Sequence, residues 1–298
     1  KLYSHSLFEV GFRHQILGEY DSSYIYLQKC YELCMAVKGE NYLLTTMCLN
    51  KLSFYYEHIG DLKKQKEFLF RSFDIRRRIL DSNDLFLAYS YSNLSSFYWQ
   101  IGDFSKQKIY DEKFDIIIRN QFKLFEETKD PYQNKKLIGL HGYLADLPNL
   151  ISIYLSSIPI QYGYVLLDNA FNAATRNEFG LSEQNITQLE DVMIRYPELL
   201  PRFRTGILRI RAETAMQKEN FLMANLLFDS LVDYHKSVKS KEDLIWDYHQ
   251  KSYALSKLGK YQEAIDIINN YFSPIKNDVK ALNYKYWRLS QLSFQGGF

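Results

Sequence analysis

Three matching turns near the N-terminus constrain the fold more than any other feature of the sequence. They are Leu17-Gly18-Glu19-Tyr20, Ile59-Gly60-Asp61-Leu62 and Ile101-Gly102-Asp103-Phe104. The interval between their glycines is 42 residues both times, since 60−18 and 102−60 each equal 42. A fixed period of this length is typical of a repeat protein, in which each unit buries its apolar face only against its neighbours.

The residues around each glycine predict two helices joined by a tight turn. Before the glycine, apolar side chains recur at the spacing of one helix face, with a small residue seven positions ahead of it: Gly11, Ser53 and Ser95. Glycine accepts the left-handed conformation that ends a helix. A large apolar residue two positions later then opens the second helix. Each repeat is therefore predicted to be helix A, a turn and helix B.

This pattern resembles the tetratricopeptide repeat, in the long-period form of the kinesin light chains. The residues that carry the resemblance are Gly39-Glu40-Asn41-Tyr42, Leu49-Asn50-Lys51-Leu52, Tyr56 and Gly60-Asp61, and it extends over residues 3–122. The resemblance implies an all-α superhelix, a helical repeat solenoid. Such repeats occur in adaptors, sensors and regulatory arms of larger proteins, so the resemblance is specific to an architecture.

The pattern divides the chain into three parts. Residues 1–125 hold three regular repeats, residues 126–200 form an irregular helical joint, and residues 201–298 hold two repeats and the first helix of a further one. The turns of the last part are Glu219-Asn220-Phe221 and Gly259-Lys260-Tyr261. The chain starts without Met and stops where another helix B is expected, so the sequence reads as a piece of a longer protein.

The repeat register is lost in the middle part, where helix breakers are frequent. Charged residues around Pro131 predict a loop over 126–136. Beyond it we expect helices over 149–157, 160–178 and 182–196, broken by Pro148, Pro159, Gly180 and Pro197, with Ser182 as an N-cap. Whether 137–147 forms a helix of its own stays open, and with it the direction of the later A helices.

Composition narrows the class of partner. The 298 residues carry a formal net charge of +2, which argues against nucleic acid, because nucleic-acid binding usually shows a clear basic excess. No apolar run is long enough to span a membrane, and we expect a cytoplasmic location. Cys30, Cys34 and Cys48 do not form a disulfide framework, and we interpret them as small core residues rather than metal ligands.

The candidate binding surface follows from the resemblance, which implies that the A helices line the concave face. The inward positions lie ten, six and three residues before each turn, with the thirteenth at the rim. A partly polar, aromatic groove of this kind suits a peptide or protein ligand. Asn50 is the first candidate for holding a peptide backbone. The full set of candidates is Phe8, Phe12, Asn50, Phe54, Tyr89, Ser92, Trp99, Trp246, His249 and Tyr253.

Two other features of the sequence give weaker functional signals. The best-understood tetratricopeptide sites hold a C-terminal carboxylate with Lys and Asn at the ten-before and six-before positions, and only Asn50 matches here. The basic run that includes Lys63, Arg76 and Arg77 is interleaved with acidic residues, which favours a solvated outer face. In a second basic cluster, Arg209 and Glu213 are spaced as a helical ion pair.

No catalytic site is predicted, and no metal or cofactor. The chain contains no P-loop, GxGxxG or HExxH motif. His141-Gly142 is similar to the His-Gly of caspase-like proteases, but those need a downstream Cys, and all three cysteines lie upstream. We therefore expect a non-enzymatic segment.

The leading functional hypothesis is a protein- or peptide-binding scaffold or sensor segment of a larger protein, which passes the binding event to an attached effector domain. One alternative is the regulatory arm of a caspase-like protease. Another is the ligand-sensing part of a peptide-responsive transcription regulator, and a third is an inert structural spacer. A His/Cys pair or a helix-turn-helix in the flanking sequence would separate the first two alternatives.

Overall fold

Helix pairs joined by short turns build residues 2–128 and 148–272, the two ranges that the computed structural model of this chain describes. The chain divides into two compact units, residues 1–162 and 163–298. No helix in the described ranges combines the length and the apolarity needed to cross a membrane. The predicted all-α fold of tetratricopeptide-like helix pairs is confirmed.

Six helices account for most of the first unit. They are α1 (Leu2–Ile16), α2 (Tyr20–Lys38), α3 (Leu43–His58), α4 (Leu62–Ile79), α5 (Leu85–Gln100) and α6 (Phe104–Glu127). The pairs α1–α2, α3–α4 and α5–α6 are joined by the three turns that the sequence repeats. The A helices of the prediction are thus α1, α3 and α5, and the B helices are α2, α4 and α6.

Backbone geometry explains why the turn sequence recurs. Gly18, Gly60 and Gly102 adopt φ of 77°, 75° and 76°, the left-handed region that only glycine enters freely. At the second turn the amide of Asp61 donates to the carbonyl of Tyr56 at 2.9 Å, which closes the end of α3. The Asp61 carboxylate then accepts from the amide of Lys64 at 3.0 Å and caps α4.

The small residue of helix A lies where helix B crosses it closely. A Cβ atom added to Gly11 would lie 2.8 Å from Leu27 Cγ and 3.2 Å from the Leu27 amide nitrogen. Ser53 and Ser95 are buried at the corresponding positions. The core formed around these crossings includes Leu27, Leu49 and Leu52, none of which is exposed to solvent.

The remaining helices follow the first gap in the described residues. They are α7 (Pro148–Thr175), α8 (Phe179–Arg195), α9 (Leu200–Gln217), α10 (Phe221–Val238), α11 (Lys241–Lys257) and α12 (Tyr261–Phe272), with a short 3-10 turn, Pro197–Leu199, between α8 and α9. The second unit starts inside α7. Its predicted turns at 219 and 259 are confirmed, and Glu219 takes the glycine position with φ of 56°.

The predicted break at Pro159 is wrong, because α7 runs through it. A proline inside a helix removes one backbone hydrogen bond and costs about 3 kcal/mol. The apolar side chains of α7 offset that cost, since Ile158, Val165, Leu166 and Ala170 are at most 2 % exposed. Burial of one helix face therefore outweighs the local preference of one residue.

The predicted N-cap at Ser182 is also wrong, because the helix begins earlier, at Phe179. The turn before it keeps the 42-residue spacing of the repeats. Asn177 takes a left-handed φ of 61°, and the amide of Glu178 donates to the carbonyl of Ala173 at 2.9 Å. Residues 176–179 therefore form the same turn as the glycine motifs, and 219−177 is again 42. Ser182 lies inside α8, five residues after the turn, where it is buried.

Several predictions fall on residues outside the described ranges. They are most of the loop over 126–136, a separate helix over 137–147, and the last helix A near the C-terminus. His141 lies there too. Helix α6 ends at Glu127, two residues beyond the end that the predicted loop implied.

Candidate functional site

A depression of about 230 Å³ lies on the face that α1, α3 and α5 share in the first unit. Four of the predicted site residues line it: Phe8, Asn50, Phe54 and Tyr89. The other lining residues are Met47, Lys51, Arg76, Phe86 and Asn93. We call this depression the cationic pocket, since Lys51 and Arg76 are the charged residues in its lining. Its volume is below the 300–1,000 Å³ usual for small-molecule sites and suits a single side chain.

Two asparagines from neighbouring A helices pair at the pocket. The Asn93 side-chain amide donates from Nδ2 to Asn50 Oδ1 at 3.0 Å. This bond uses the acceptor of Asn50 and one donor of Asn93, so the Asn50 NH₂ group and Asn93 Oδ1 still offer a donor and an acceptor. In the described part of the chain, no other hydrogen bond engages either side chain.

Lys51 brings a positive charge to the pocket without a carboxylate partner. Its Nζ lies 4.0 Å from the ring centroid of Phe12 and 5.4 Å from that of Phe54. Within the described ranges, no acidic side chain pairs with it. Burial, together with repulsion from Arg76, lowers the pKa of Lys51 to about 8.

Arg76 supplies the second positive charge from helix α4, and it is only 2 % exposed. Its Nε donates to Thr46 Oγ1 at 2.9 Å, and its Nη1 donates to the Phe86 carbonyl at 3.1 Å and to Ser90 Oγ at 3.0 Å. These acceptors are neutral oxygens. They hold the guanidinium between α3 and α5, and the Asp84 carboxyl lies close enough to interact with its charge.

The predicted outer-face location is therefore wrong for Arg76. A B helix buries one face against the A helices of its own and the next repeat, and position 76 falls on that face. Its neighbours Arg71 and Arg78 are exposed and reach Glu40 at 3.0 and 3.5 Å, as expected of a solvated face. Arg77 pairs with Asp74 at 3.8 Å.

Asp84 lies just before α5 and is 2 % exposed. Its Oδ1 accepts from the Phe86 amide at 2.7 Å, which caps the helix. Its Oδ2 is buried without a hydrogen-bond partner among the described residues. Burial raises the pKa of Asp84 to about 7, against the opposing effects of the Phe86 amide and the charge of Arg76.

The other predicted residues of the first unit lie outside the pocket lining. The Phe12 ring stacks with that of Phe8, with 6.3 Å between the centroids, and also contacts the Lys51 ammonium. Ser92 is half-buried on α5. Trp99 is 64 % exposed near the end of α5. At the edge of the pocket, the Tyr89 hydroxyl lies 3.1 Å from Ser157 Oγ.

The three predicted site residues of the second unit lie on α11. The rings of Trp246 and His249 stack with centroids 6.2 Å apart, and His249 is 8 % exposed. Tyr253, one turn further on, is half-buried and lies beneath the ammonium of Lys257 at 5.4 Å.

A charged network in the second unit joins Arg209 with Asp243, Asp247 and His235. Arg209 reaches Asp243 at 3.1 Å and Asp247 at 3.6 Å, and His235 Nδ1 lies 2.5 Å from Asp247 Oδ2. Asp247 is completely buried. The predicted pair of Arg209 with Glu213 is therefore wrong, because the aspartates of α11 lie closer to the guanidinium than a residue of its own helix. Arg211 likewise pairs with Glu183 and Glu190 of α8.

The three cysteines are free thiols buried at the junction of α1, α2 and α3, as predicted for core residues. Cys48 Sγ lies 3.2 Å from Cys30 Sγ, and Cys30 donates to the Ser4 carbonyl at 3.1 Å. No group of His, Cys, Asp or Glu in the described ranges is arranged to hold a metal ion.

Sequence reasoning missed five residues of the pocket lining: Met47, Lys51, Arg76, Phe86 and Asn93. Lys51 and Asn93 both stand nine positions before their glycines, next to the inward positions that were considered. The recurrence of a polar residue at that position was an available signal. Arg76 carried no such signal, because the sequence of a basic run does not show which of its arginines is buried.

Comparison with known proteins supports the fold and says little about function. Neither a family model nor a curated protein sequence matches the chain. Among solved structures it is similar to the assembly chaperone of RpL4, Acl4 (residues 1–338), with a TM-score of 0.59 and 10 % identity over 98 % of this chain and 97 % of that chain. At that identity the likeness shows the fold alone.

Two structures of a putative kinesin light chain from Podosopora anserina, described as nearly identical TPR-like repeats, also align. Each has a TM-score of 0.37 and 11 % identity. The alignments cover 90 % and 92 % of this chain, and 92 % and 97 % of those chains. A TM-score at this level supports no conclusion about this chain.

Proposed function

We propose that the chain is a protein-binding helical scaffold, and that the A-helix face of its first unit binds an extended peptide segment of a partner protein. The observation that carries this proposal is the Asn50–Asn93 pair. It leaves one amide donor and one acceptor side by side at a depression of side-chain size. A peptide unit has the complementary acceptor and donor.

The surroundings of the pair support a peptide rather than a small molecule. Aromatic rings of Phe8, Phe54 and Phe86 line the depression and offer apolar contact to a side chain. The hydrogen bonds to the backbone would fix the register of the peptide, as in other modes of peptide recognition. Trp99, exposed on α5, remains a candidate for contact with a flanking residue of the ligand.

The proposal is tested by panning a displayed random-peptide library against the full chain and then measuring the affinity of a selected peptide. We expect Asn50→Ala and Asn93→Ala each to weaken binding by roughly 1 kcal/mol or more, since each removes a hydrogen-bonding group at the centre of the site. Trp99→Ala should weaken it by a similar amount if the peptide extends along α5. Circular dichroism should show unchanged helicity.

Arg77→Ala is the matched control, because Arg77 lies on the same B helix as Arg76 and is exposed. It should leave peptide affinity unchanged. An equal loss in Arg77→Ala and Asn50→Ala would contradict the proposal, as would a library that yields no binder at all.

A further inference from the structure

We propose that Cys34 is a site of oxidation by a small hydroperoxide, and that Cys48 then forms a disulfide with it. Cys30, Cys34 and Cys48 are free thiols that meet where α2 packs on α3. Cys34 also lines a second pocket of the first unit, which we call the thiol pocket. The thiol pocket shares no lining residue with the cationic pocket, so the inference stands apart from the proposed peptide binding.

The thiol pocket gives a small molecule a path to a side chain that is otherwise buried. It has a volume of about 200 Å³ and is lined by Tyr3, Ser4, Leu33, Cys34, Val37, Lys38 and Tyr42. Tyr3 and Val37 are 68 % and 65 % exposed, whereas Cys34 is 2 % exposed, so the pocket reaches from solvent to the thiol. Its volume is below that usual for small-molecule sites. A neutral oxidant little larger than water, such as hydrogen peroxide, fits this space, and a bulky disulfide does not.

The neighbours of Cys34 favour its reactive form. Hydrogen bonds from Cys30 and Cys48 lower the pKa of Cys34 against the effect of burial, and the charge of His5 acts in the same direction as the hydrogen bonds. The hydrogen bonds of Cys48 to Cys30 and Cys34, together with burial, raise the pKa of Cys48. Cys34 therefore carries the thiolate, the form that attacks a peroxide, while Cys48 keeps its proton.

Helix geometry selects Cys48 rather than Cys30 as the partner of Cys34. Cys30 and Cys34 are four residues apart on α2, and such positions have Cβ atoms about 5–6 Å apart, whereas a disulfide needs about 3.5–4.5 Å. Cys48 approaches from α3 and hydrogen-bonds with both of them, with its Sγ 3.2 Å from Cys30 Sγ. Cys30 is not in the pocket lining and is completely buried, so the oxidant meets Cys34 first.

The chemistry is a two-electron oxidation in two steps. The Cys34 thiolate attacks one oxygen of hydrogen peroxide, the O–O bond breaks, and the leaving hydroxide takes a proton from solvent to become water. The sulfenic acid that remains on Cys34 is then attacked by the Cys48 sulfur. The S–O bond breaks, and hydroxide leaves with the Cys48 proton as a second water. Two thiols are thus oxidised to one disulfide, and the peroxide is reduced to two waters.

The experiment treats the reduced full chain with hydrogen peroxide under native conditions. Remaining thiols are alkylated, and mass spectrometry without reduction locates the disulfide. We expect the wild type and Cys30→Ser to lose two hydrogen atoms and to yield a Cys34–Cys48 link. Cys48→Ser should stop at the sulfenic acid of Cys34, which dimedone traps, and Cys34→Ser should form no disulfide.

Two results would overturn the inference. One is a wild-type chain whose three thiols all stay reduced in peroxide. The other is a Cys30–Cys48 disulfide that forms in Cys34→Ser as fast as the disulfide of the wild type, because Cys34 would then have no part in the reaction. Circular dichroism before treatment checks that each serine variant is folded.

A second pair of variants tests the route of the oxidant without changing any thiol. Val37→Trp places a large side chain at the opening of the thiol pocket and should slow disulfide formation severalfold. Val238→Trp is the matched control, since Val238 is a similarly exposed valine, 52 % exposed, at the end of α10. Equal rates in the two variants would mean that oxidation proceeds by opening of the fold instead of through the pocket, which also overturns the inference.

Discussion

The two units of this chain surround an arginine in different ways: Arg76 is buried, whereas Arg209 is about a third exposed. In the first unit Arg76 donates hydrogen bonds to the Thr46 hydroxyl, the Phe86 carbonyl and the Ser90 hydroxyl. Burial and the charge of Arg76 together lower the pKa of Lys51. In the second unit Arg209 forms ion pairs with Asp243 and Asp247, and Asp247 also contacts His235. These hydrogen bonds of Arg76 go to neutral oxygens, with the Asp84 carboxyl close enough to interact with its charge, whereas Arg209 pairs directly with carboxylates.

The difference shows that helix-pair architecture does not decide what a face can bind. Both units are made of the same element, with a left-handed residue ending helix A and a small residue at the crossing. What differs is the helix that carries the arginine and the groups it meets: Arg76 lies on a B helix and Arg209 on an A helix. A scaffold of this kind can therefore carry a binding surface in one unit and a purely structural polar network in another.

Removing the buried carboxylate of the second unit should give the largest effect on stability. Asp247→Ala leaves Arg209 and His235 without their shared partner inside the fold. Breaking a buried pair by deleting one member costs about 3–5 kcal/mol. We expect a loss of that size in urea unfolding followed by circular dichroism, with peptide binding by the first unit preserved wherever the protein is folded.

Glu263→Ala is the control for Asp247→Ala. Glu263 forms an exposed pair with Lys260 at 3.0 Å, and pairs of this kind contribute about 0–1 kcal/mol. If both variants lost the same small amount of unfolding free energy, the network around Asp247 would not stabilise the fold. The contrast between the two units would then disappear.

The second prediction concerns the pH dependence of the first unit. The pKa of Asp84 rises from its ordinary value of 3.8 to about 7 on folding, so the folded state holds the proton more tightly. Its contribution to stability is full below pH 3.8 and is lost as pH rises to about 7. Asp84→Asn keeps the helix cap and removes the buried charge.

We therefore expect Asp84→Asn to raise the free energy of unfolding by roughly 2–4 kcal/mol at pH 8 and to change it little at pH 4. Denaturant unfolding at the two pH values measures this. The same gain at both values would mean that the effect has nothing to do with ionisation. A loss at pH 8 would mean that Arg76 depends on the Asp84 charge more than burial opposes it.

Replacing glycines at close helix contacts by alanine should lower the free energy of unfolding by a smaller amount. A Cβ at Gly163 would lie 2.5 Å from the Phe203 ring, and one at Gly11 would lie 2.8 Å from Leu27 Cγ. Overpacking of this kind costs about 1–3 kcal/mol. Gly163→Ala should cost more than Gly11→Ala, because the added Cβ would lie closer to the Phe203 ring than to any atom of Leu27.

Gly180→Ala tests whether the cost comes from crowding. Gly180 lies in the first turn of α8 with no atom within 4 Å of an added Cβ, so alanine should stabilise the protein by up to about 1 kcal/mol. Thermal unfolding of the three variants gives the ranking. A cost at Gly180 equal to that at Gly11 would show that backbone conformation, not contact, sets the effect.

Much of this architecture was available from short sequence patterns, and the failures have local causes. Gly18, Gly60 and Gly102 predicted their turns because no other residue takes a left-handed φ as freely. Asn177 takes the same conformation and carries the same 42-residue interval to Glu219, but asparagine in a polar stretch is too common to reveal a turn. The break predicted at Pro159 failed for a different reason: burial of one face of α7 outweighs the helix-breaking preference of the proline.

The amino-acid sequence by itself determined the period and the helix pairs, because these follow from spacing along a helix and from the backbone freedom of glycine. The choice of Phe8, Asn50, Phe54 and Tyr89 as one face came from the resemblance to tetratricopeptide repeats. Only the tertiary structure decided which polar groups meet. The pairing of Asn50 with Asn93, the burial of Arg76 beside Lys51 and the capture of Arg209 by Asp243 and Asp247 each join residues from different helices. Such contacts depend on how helices cross, and spacing within one helix carries no information about that.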